Sequence, residues 1–401
     1  MPNFINRRLL LIVGFLFLCV LLAALLYVMF FRSMPSAVTP TINNGIPGAN
    51  LPTANTGQPS VIPSAGTGSL PAGPAGQGTG QLKTQKLINE NARFSTLDPT
   101  TNGLLFYNAA DGTFGKSDSS GNIQSLTNAK FPSVQSVTWA PDRSQAVLEF
   151  PDGANILYNF QSKHQVTLPQ HWEDFSFNDT GKQLAFKSMG LDVDNRWLGI
   201  ANPDGSGSEA IEPLGANADS VTVAWSPTGQ VVGLQHKPSG ADQQEIFFIG
   251  LQGENFRSLT VPGLGFVPSW TPDGQQLLYS VTSARSGYRP ELWIVNASGE
   301  QIGTGRRSLS VNTWANKCTF SSNDRLYCAV PQSLPDGAGL TPDIAATIPD
   351  SIYEIDLKTG QKTLVGDPNV PITARSLYTS KDGSKLFIED AQNGGIFTVA
   401  L

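Results

Sequence analysis

Histidine and cysteine are nearly absent, with three of each among 401 residues. His164, His171 and His236 form no His-Glu-x-x-His arrangement or other familiar ligand spacing, so no metal centre is expected. No Gly-x-Ser-x-Gly elbow occurs, which argues against serine hydrolysis. Asp192, Asp194 and Asn195 crowd one loop but lack the glycine and the remaining oxygen ligands of an EF-hand, and read as a solvated turn. The run Asn202-Pro-Asp-Gly-Ser-Gly is likewise a turn, since no helix follows to receive a phosphate. No cofactor is expected.

Charge is also scarce, at 14% of residues, and unevenly spread. Between Ser33 and Leu82 there is none, and Pro, Gly, Ala, Ser, Thr and Asn dominate. Such a stretch has too little apolar surface to fold alone and reads as a disordered tether, with a root-mean-square reach of roughly 40 Å. Removing Arg7, Arg8 and Arg32 from the 26 basic residues leaves 23 against 32 acidic ones. With that acidic excess and no basic stripe, nucleic acid is not an expected partner.

One long apolar run is present, from Leu9 to Phe31. At 1.5 Å rise per residue it matches the ~30 Å hydrocarbon layer. It is too long for a signal-peptide core, and Phe30-Phe31-Arg32-Ser33-Met34 is a poor cleavage site. Arg7 and Arg8 precede the run and Arg32 alone follows it, so the amino terminus is expected in the cytoplasm and the rest outside. The expected order is a cytoplasmic tail (1–8), a transmembrane helix (9–31), a linker (32–82) and a folded domain (83–401).

That domain repeats itself. Trp139-Ala-Pro-Asp, Trp225-Ser-Pro-Thr-Gly and Trp270-Thr-Pro-Asp-Gly recur with degenerate copies at Leu97, Phe177, Phe320 and Tyr378. Each copy reads as an inner strand, a tight turn and a second apolar strand such as Gln276-Leu-Leu-Tyr, which is what one propeller blade requires. The expected fold is therefore all-β, a seven-bladed β-propeller, with six blades as the alternative. The seventh copy ends after its third strand, and residues 84–89 are expected to supply the fourth and close the ring.

The Trp-Ser-Pro-Thr-Gly-Gln and Trp-Thr-Pro-Asp-Gly-Gln-Gln-Leu-Leu-Tyr units resemble the TolB-type propeller repeat, also found in propellers of the prolyl-oligopeptidase group. The resemblance covers roughly residues 91–401 and implies extracytoplasmic protein binding or gating of a linked peptidase. Seven copies, an anchor and no separate amino-terminal domain depart from TolB, which is soluble and six-bladed.

Cys318 and Cys328 flank the turn of the sixth copy and are expected to face each other across a hairpin as a disulfide, with two free thiols as the alternative. The recurring aromatics read as core between blades. Links between second and third strands expand at 188–196, 236–244, 282–290 and 331–350, all on one face. Three residues before each inner-strand aromatic stand Phe94, Ser136, Asp174, Thr222, Val267, Lys317 and Arg375, a ring of mixed charge. With Arg285, Tyr288, Arg289, His171 and Trp172 in nearby loops, Asp174, Lys317 and Arg375 form a candidate site for a peptide terminus or polar glycan. The expected function is a membrane-anchored, noncatalytic scaffold that binds a protein or cell-envelope component; the alternative is a hydrolase or lyase working at the channel mouth.

Overall fold

The computed structural model describes Val20, Leu22 and residues 80–89, 91–392 and 394–401. Apart from Val20 and Leu22, the expected span and the tether up to residue 79 lie outside the described residues. Among the described residues no helix is long and apolar enough to cross a membrane.

Seven sheets built on four antiparallel strands each, sequential in all but the last, make seven blades of a β-propeller. Their innermost strands are Ala92–Leu97, Ser136–Trp139, Trp172–Phe177, Val221–Val223, Leu264–Trp270, Cys318–Ser322 and Ala374–Thr379, for blades 1 to 7. Second strands are apolar almost throughout because each is buried on both faces. In Gln145–Glu149 of blade 2, Ala146 and Leu148 pack toward blade 1 while Val147 packs toward blade 3. The core accordingly divides into seven clusters, one at each seam between blades.

The repeated motif has two jobs. Its aspartate closes the turn: Asp273 Oδ1 accepts from the Gln275 N–H at 3.0 Å, and Gly274 follows at φ 67°. Its tryptophan ties neighbouring blades together in blades 2 and 5, while the Trp225 indole of blade 4 donates to the Gly229 carbonyl of its own turn at 3.3 Å. Trp139 Nε1 donates to the Phe94 carbonyl of blade 1 at 2.8 Å, and Trp270 Nε1 donates to the Ala224 carbonyl of blade 4 at 3.3 Å. The seventh copy departs from the sequence alignment by one residue. Thr379, opposite Leu386, holds the position that Trp270 holds opposite Leu277. Tyr378 instead reaches its hydroxyl to the Ser95 carbonyl of blade 1 at 2.5 Å.

Ring closure comes from the amino-terminal end of the domain. Thr84–Ile88 pairs antiparallel with Ile396–Ala400 as the fourth strand of blade 7. Leu87 and Ile88 are buried in the seam between blades 7 and 1. Just before it, Gln81–Leu82 adds a parallel strand beside Lys362–Pro368 of blade 6, so strand pairing begins two residues inside the segment read as linker. Gly366, at φ 153°, permits that approach: a Cβ there would meet the Gly80 carbonyl oxygen at 2.5 Å. Cys318 and Cys328 are direct cross-strand partners with Cα atoms 4.1 Å apart, and they are joined as a disulfide.

Deleting residues 83–90 removes two buried aliphatic side chains, about 3–6 kcal/mol of burial, together with a ladder of hydrogen bonds. Chemical denaturation of the propeller is expected to show a loss of at least that size; an unchanged midpoint would contradict closure by this strand.

Candidate recognition face

Links between second and third strands all emerge on one face. In blades 7, 1 and 2 they are short, at residues 391–395, 109–112 and 150–154. In the four consecutive blades 3 to 6 they are elaborated. Blade 3 carries the 3-10 turn Val193–Asn195, and blade 5 carries Ala284–Ser286. Blade 4 extends its two strands, Val231–Gly240 and Gln243–Gly250, into a long hairpin.

Blade 6 has the longest link, residues 332–349, and it is packed as a strap. The Gly337 and Gly339 N–H groups donate to the Gly287 and Tyr288 carbonyls of blade 5, both at 2.8 Å. At its far end the Thr373 hydroxyl of blade 7 donates to the Ile348 carbonyl at 3.1 Å. Ala338 and Ala345 are buried beneath it. A Cβ at Gly339 would lie 2.4 Å from Thr282 Oγ1, so glycine is required for the close approach. From this ordered scaffold Leu340 and Ile344 stand 56% and 45% exposed, beside the exposed Tyr288. Leu191, Val193 and Val370 are exposed on the same face.

At the channel mouth the mixed-charge ring resolves into ion pairs within blades. Asp174 meets Lys187 at 2.8 Å, Lys317 meets Asp350 at 2.7 Å and Arg375 meets Glu389 at 3.5 Å. Each pair also fastens the next blade. Lys187 Nζ donates to the Val221 carbonyl at 3.3 Å, the Ala374 N–H donates to Asp350 at 2.7 Å, and the Ser95 hydroxyl donates to Glu389 at 2.5 Å. Burial pushes the Asp350 carboxyl up, outweighing the opposing pull of Lys317 and the Ala374 N–H, and the neighbouring Asp390 adds to the rise. Burial likewise raises Glu149, which reaches Ser136 of its own blade and the Asp174 backbone of blade 3. His236 is pushed down by burial and then by Lys187. Among the described residues no three His, Cys, Asp or Glu side chains are placed to share a metal ion.

The eight candidate residues therefore do not share one pocket. Asp174, Lys317 and Arg375 sit in the mouth pairs. Arg285 pairs with Glu291 at 3.6 Å and lies over the Trp293 ring, while Tyr288 helps anchor the strap. Arg289 lines a cleft between blades 5 and 6. His171 and Trp172 line a separate cleft of about 440 Å³ at the seam of blades 2 and 3, where Trp172 stacks on Phe186 with centroids 3.5 Å apart. Sequence reasoning missed Asp350, Glu389 and Asp390. Their signal was available: carboxylates immediately bordering apolar strands, as in Lys385-Leu-Phe-Ile-Glu-Asp.

Replacing Lys317 with Met leaves the Asp350 carboxylate buried without its cation, a change worth about 3–5 kcal/mol. Equilibrium denaturation near neutral pH is expected to show that loss, and the double variant K317M/D350L is expected to recover much of it.

No known protein-family profile matches the chain, and no curated protein matches it. Solved structures do resemble it. An oligogalacturonate lyase in complex with manganese aligns with a TM-score of 0.53 at 13% identity, covering 81% of this chain and 95% of its own. The β-propeller domain of Cps50 from Myceliophteria thermophila gives a TM-score of 0.49 at 10% identity, over 79% of this chain and all of that domain (100%). An oligogalacturonate lyase from Vibrio parahaemolyticus gives a TM-score of 0.47 at 10% identity, over 80% and 93% of the two chains. At such identities the likeness shows the propeller fold alone. It does correct one expectation: with an oligogalacturonate lyase among the solved propellers it resembles, the chain is not assigned to the non-enzymes.

Proposed function

We propose that the protein is a partner-recognition propeller, held outside the cell by its amino-terminal apolar run, that meets a protein or other envelope component on the elaborated face of blades 3 to 6. The observation that carries this reading is the strap at residues 332–349. It is fixed to blades 5 and 7 by hydrogen bonds, yet it turns Leu340 and Ile344 outward. Holding apolar side chains in water on a rigid support serves no folding purpose and is characteristic of an interaction surface. The resemblance to TolB-type repeats supports the same reading. A photo-crosslinking side chain placed at Leu340 or Ile344 is expected to capture a discrete partner in native membranes, and Leu340→Asp with Ile344→Asp to abolish binding of that partner. Equal capture from Ile123, which lies away from this face, would count against it.

Turnover of a small substrate at the channel mouth is a second reading, favoured by the buried carboxylates Asp350, Glu389 and Asp390 beside Lys317 and Arg375. A raised carboxyl next to an amine is the kind of pair that can relay a proton. Purified full-length protein incubated with oligogalacturonate, the substrate class of the lyases above, tests it. This reading expects an unsaturated, ultraviolet-absorbing product that disappears with Asp350→Asn; no product from the native protein removes oligogalacturonate as its substrate.

A further inference from the structure

A cleft of about 400 Å³ opens at the seam between blades 5 and 6. Resting on the reading that this rim meets a protein, we infer that the cleft takes the free carboxy terminus of a partner polypeptide whose last residue is apolar. Charge gives the first argument. The chain as a whole carries a net charge of −6, yet the residues lining this cleft include the cations Arg289 and Lys362 and no carboxylate. Neither cation is saturated. Among the described residues the Arg289 side chain is held through Nε alone, to the Ser286 carbonyl at 3.0 Å and Asp336 at 3.5 Å, and Lys362 Nζ donates only to the Ser310 carbonyl at 3.3 Å. Both retain donors for an incoming anion.

The backbone supplies more. Val311 and Asn312 line the same cleft, and among the described residues neither N–H has an acceptor. A guanidinium together with main-chain N–H groups is a recurrent receptor for a terminal carboxylate. The rest of the wall mixes the polar Ser310, Asn312 and Gln332 with an apolar part made by Val311, Val330, Pro331, Leu334 and the Tyr353 ring. Tyr353 pairs in register with Cys328, so the Cys318–Cys328 disulfide braces the strand under the cleft. A sugar would leave the apolar part of that wall unused. The volume lies near the lower end of the ~300–1,000 Å³ range of small-ligand sites, which suits the last one or two residues of a chain. Asp336, on the rim, is 3.5 Å from Arg289 and highly exposed, so a bound carboxylate takes over an ion pair already formed by a solvent-facing side chain.

The test uses the full-length chain in lipid nanodiscs and dye-labelled hexapeptides read by fluorescence polarisation. A peptide ending in Leu with a free carboxylate is expected to bind at least tenfold more tightly than its carboxamide or than a peptide ending in Lys. Arg289→Gln with Lys362→Gln is expected to weaken the free acid by tenfold or more without moving the melting temperature, and Asp336→Asn to tighten it severalfold. Equal binding of acid and amide, no binding up to millimolar peptide, or tighter binding of decanoate than of every peptide overturns the inference. Crosslinking from Ile344 separates it from the broader reading. If the double variant still captures its partner there while no free-acid peptide binds the native chain, the carboxylate site fails and the recognition face stands. If peptides bind as expected but Ile344 captures nothing, the recognition face fails and the site stands.

Discussion

Every sheet in this molecule is apolar on both faces, and that single constraint requires a closed ring. Val147 and Leu148, adjacent in one strand, belong to different seams. An open arc would leave two whole sheet faces in water, whereas a closed ring leaves none. Closure depends on one short segment, Thr84–Ile88, which brings Leu87 and Ile88 into the last seam. The two ends of the domain thus become partners in one blade. Gln81–Leu82 then crosses to the outer edge of blade 6, so the polypeptide entering the domain grips both sides of the seam between blades 6 and 7.

Apolar seams are non-directional, and the polar fasteners at the mouth supply direction. Lys187, Asp350 and Glu389 each hold a partner in their own blade and an acceptor or donor in the next. A neighbouring blade shifted by one residue would strand these charges in a poorly solvated place. The same groups look like a ligand ring when read along the chain, because ligand rings and seam fasteners both collect charge near a propeller mouth. Their pairing distinguishes them: Lys187 and Asp350 each bond to groups of their own blade and of the next.

The blades were legible in the sequence because their motif carries turn chemistry and inter-blade packing together, in residues adjacent along the chain. Where the motif decays, legibility falls. At the seventh copy the aromatic Tyr378 drew the alignment by one position, while the register rests on the turn Ser380-Lys-Asp-Gly and places Thr379 at the inner strand. Arg375 was displaced with it, and Ser376, opposite Glu389, is the true counterpart of Ser136, opposite Glu149. The elongated links of blades 3 to 6 were visible as spacing. Their contents were not, since Lys317 meets Asp350 from 33 residues away. The cleft between blades 5 and 6 is assembled from Arg289, Asn312, Leu334, Tyr353 and Lys362, five separated stretches that only the seam brings together.

The elaborated links between second and third strands share one face, and the motif turns on the other face stay short for a steric reason. There the motif turns nest from blade to blade. A Cβ on Gly274 of blade 5 would lie 2.9 Å from the Thr228 nitrogen of blade 4, and one on Gly181 of blade 3 would touch Pro141 of blade 2 at 3.5 Å. An insertion in any one turn would push against its neighbour and open a seam. At the channel mouth the blades are fastened below the loops by buried pairs. Length can therefore accumulate there without loosening the ring, as it has over four consecutive blades. The strap at 332–349 uses that freedom in an ordered way, since Gly287, Gly337 and Gly339 let two neighbouring links share backbone hydrogen bonds. The propeller thus presents Leu340 and Ile344 to solvent from an ordered ledge whose own Ala338 and Ala345 are buried against the blades.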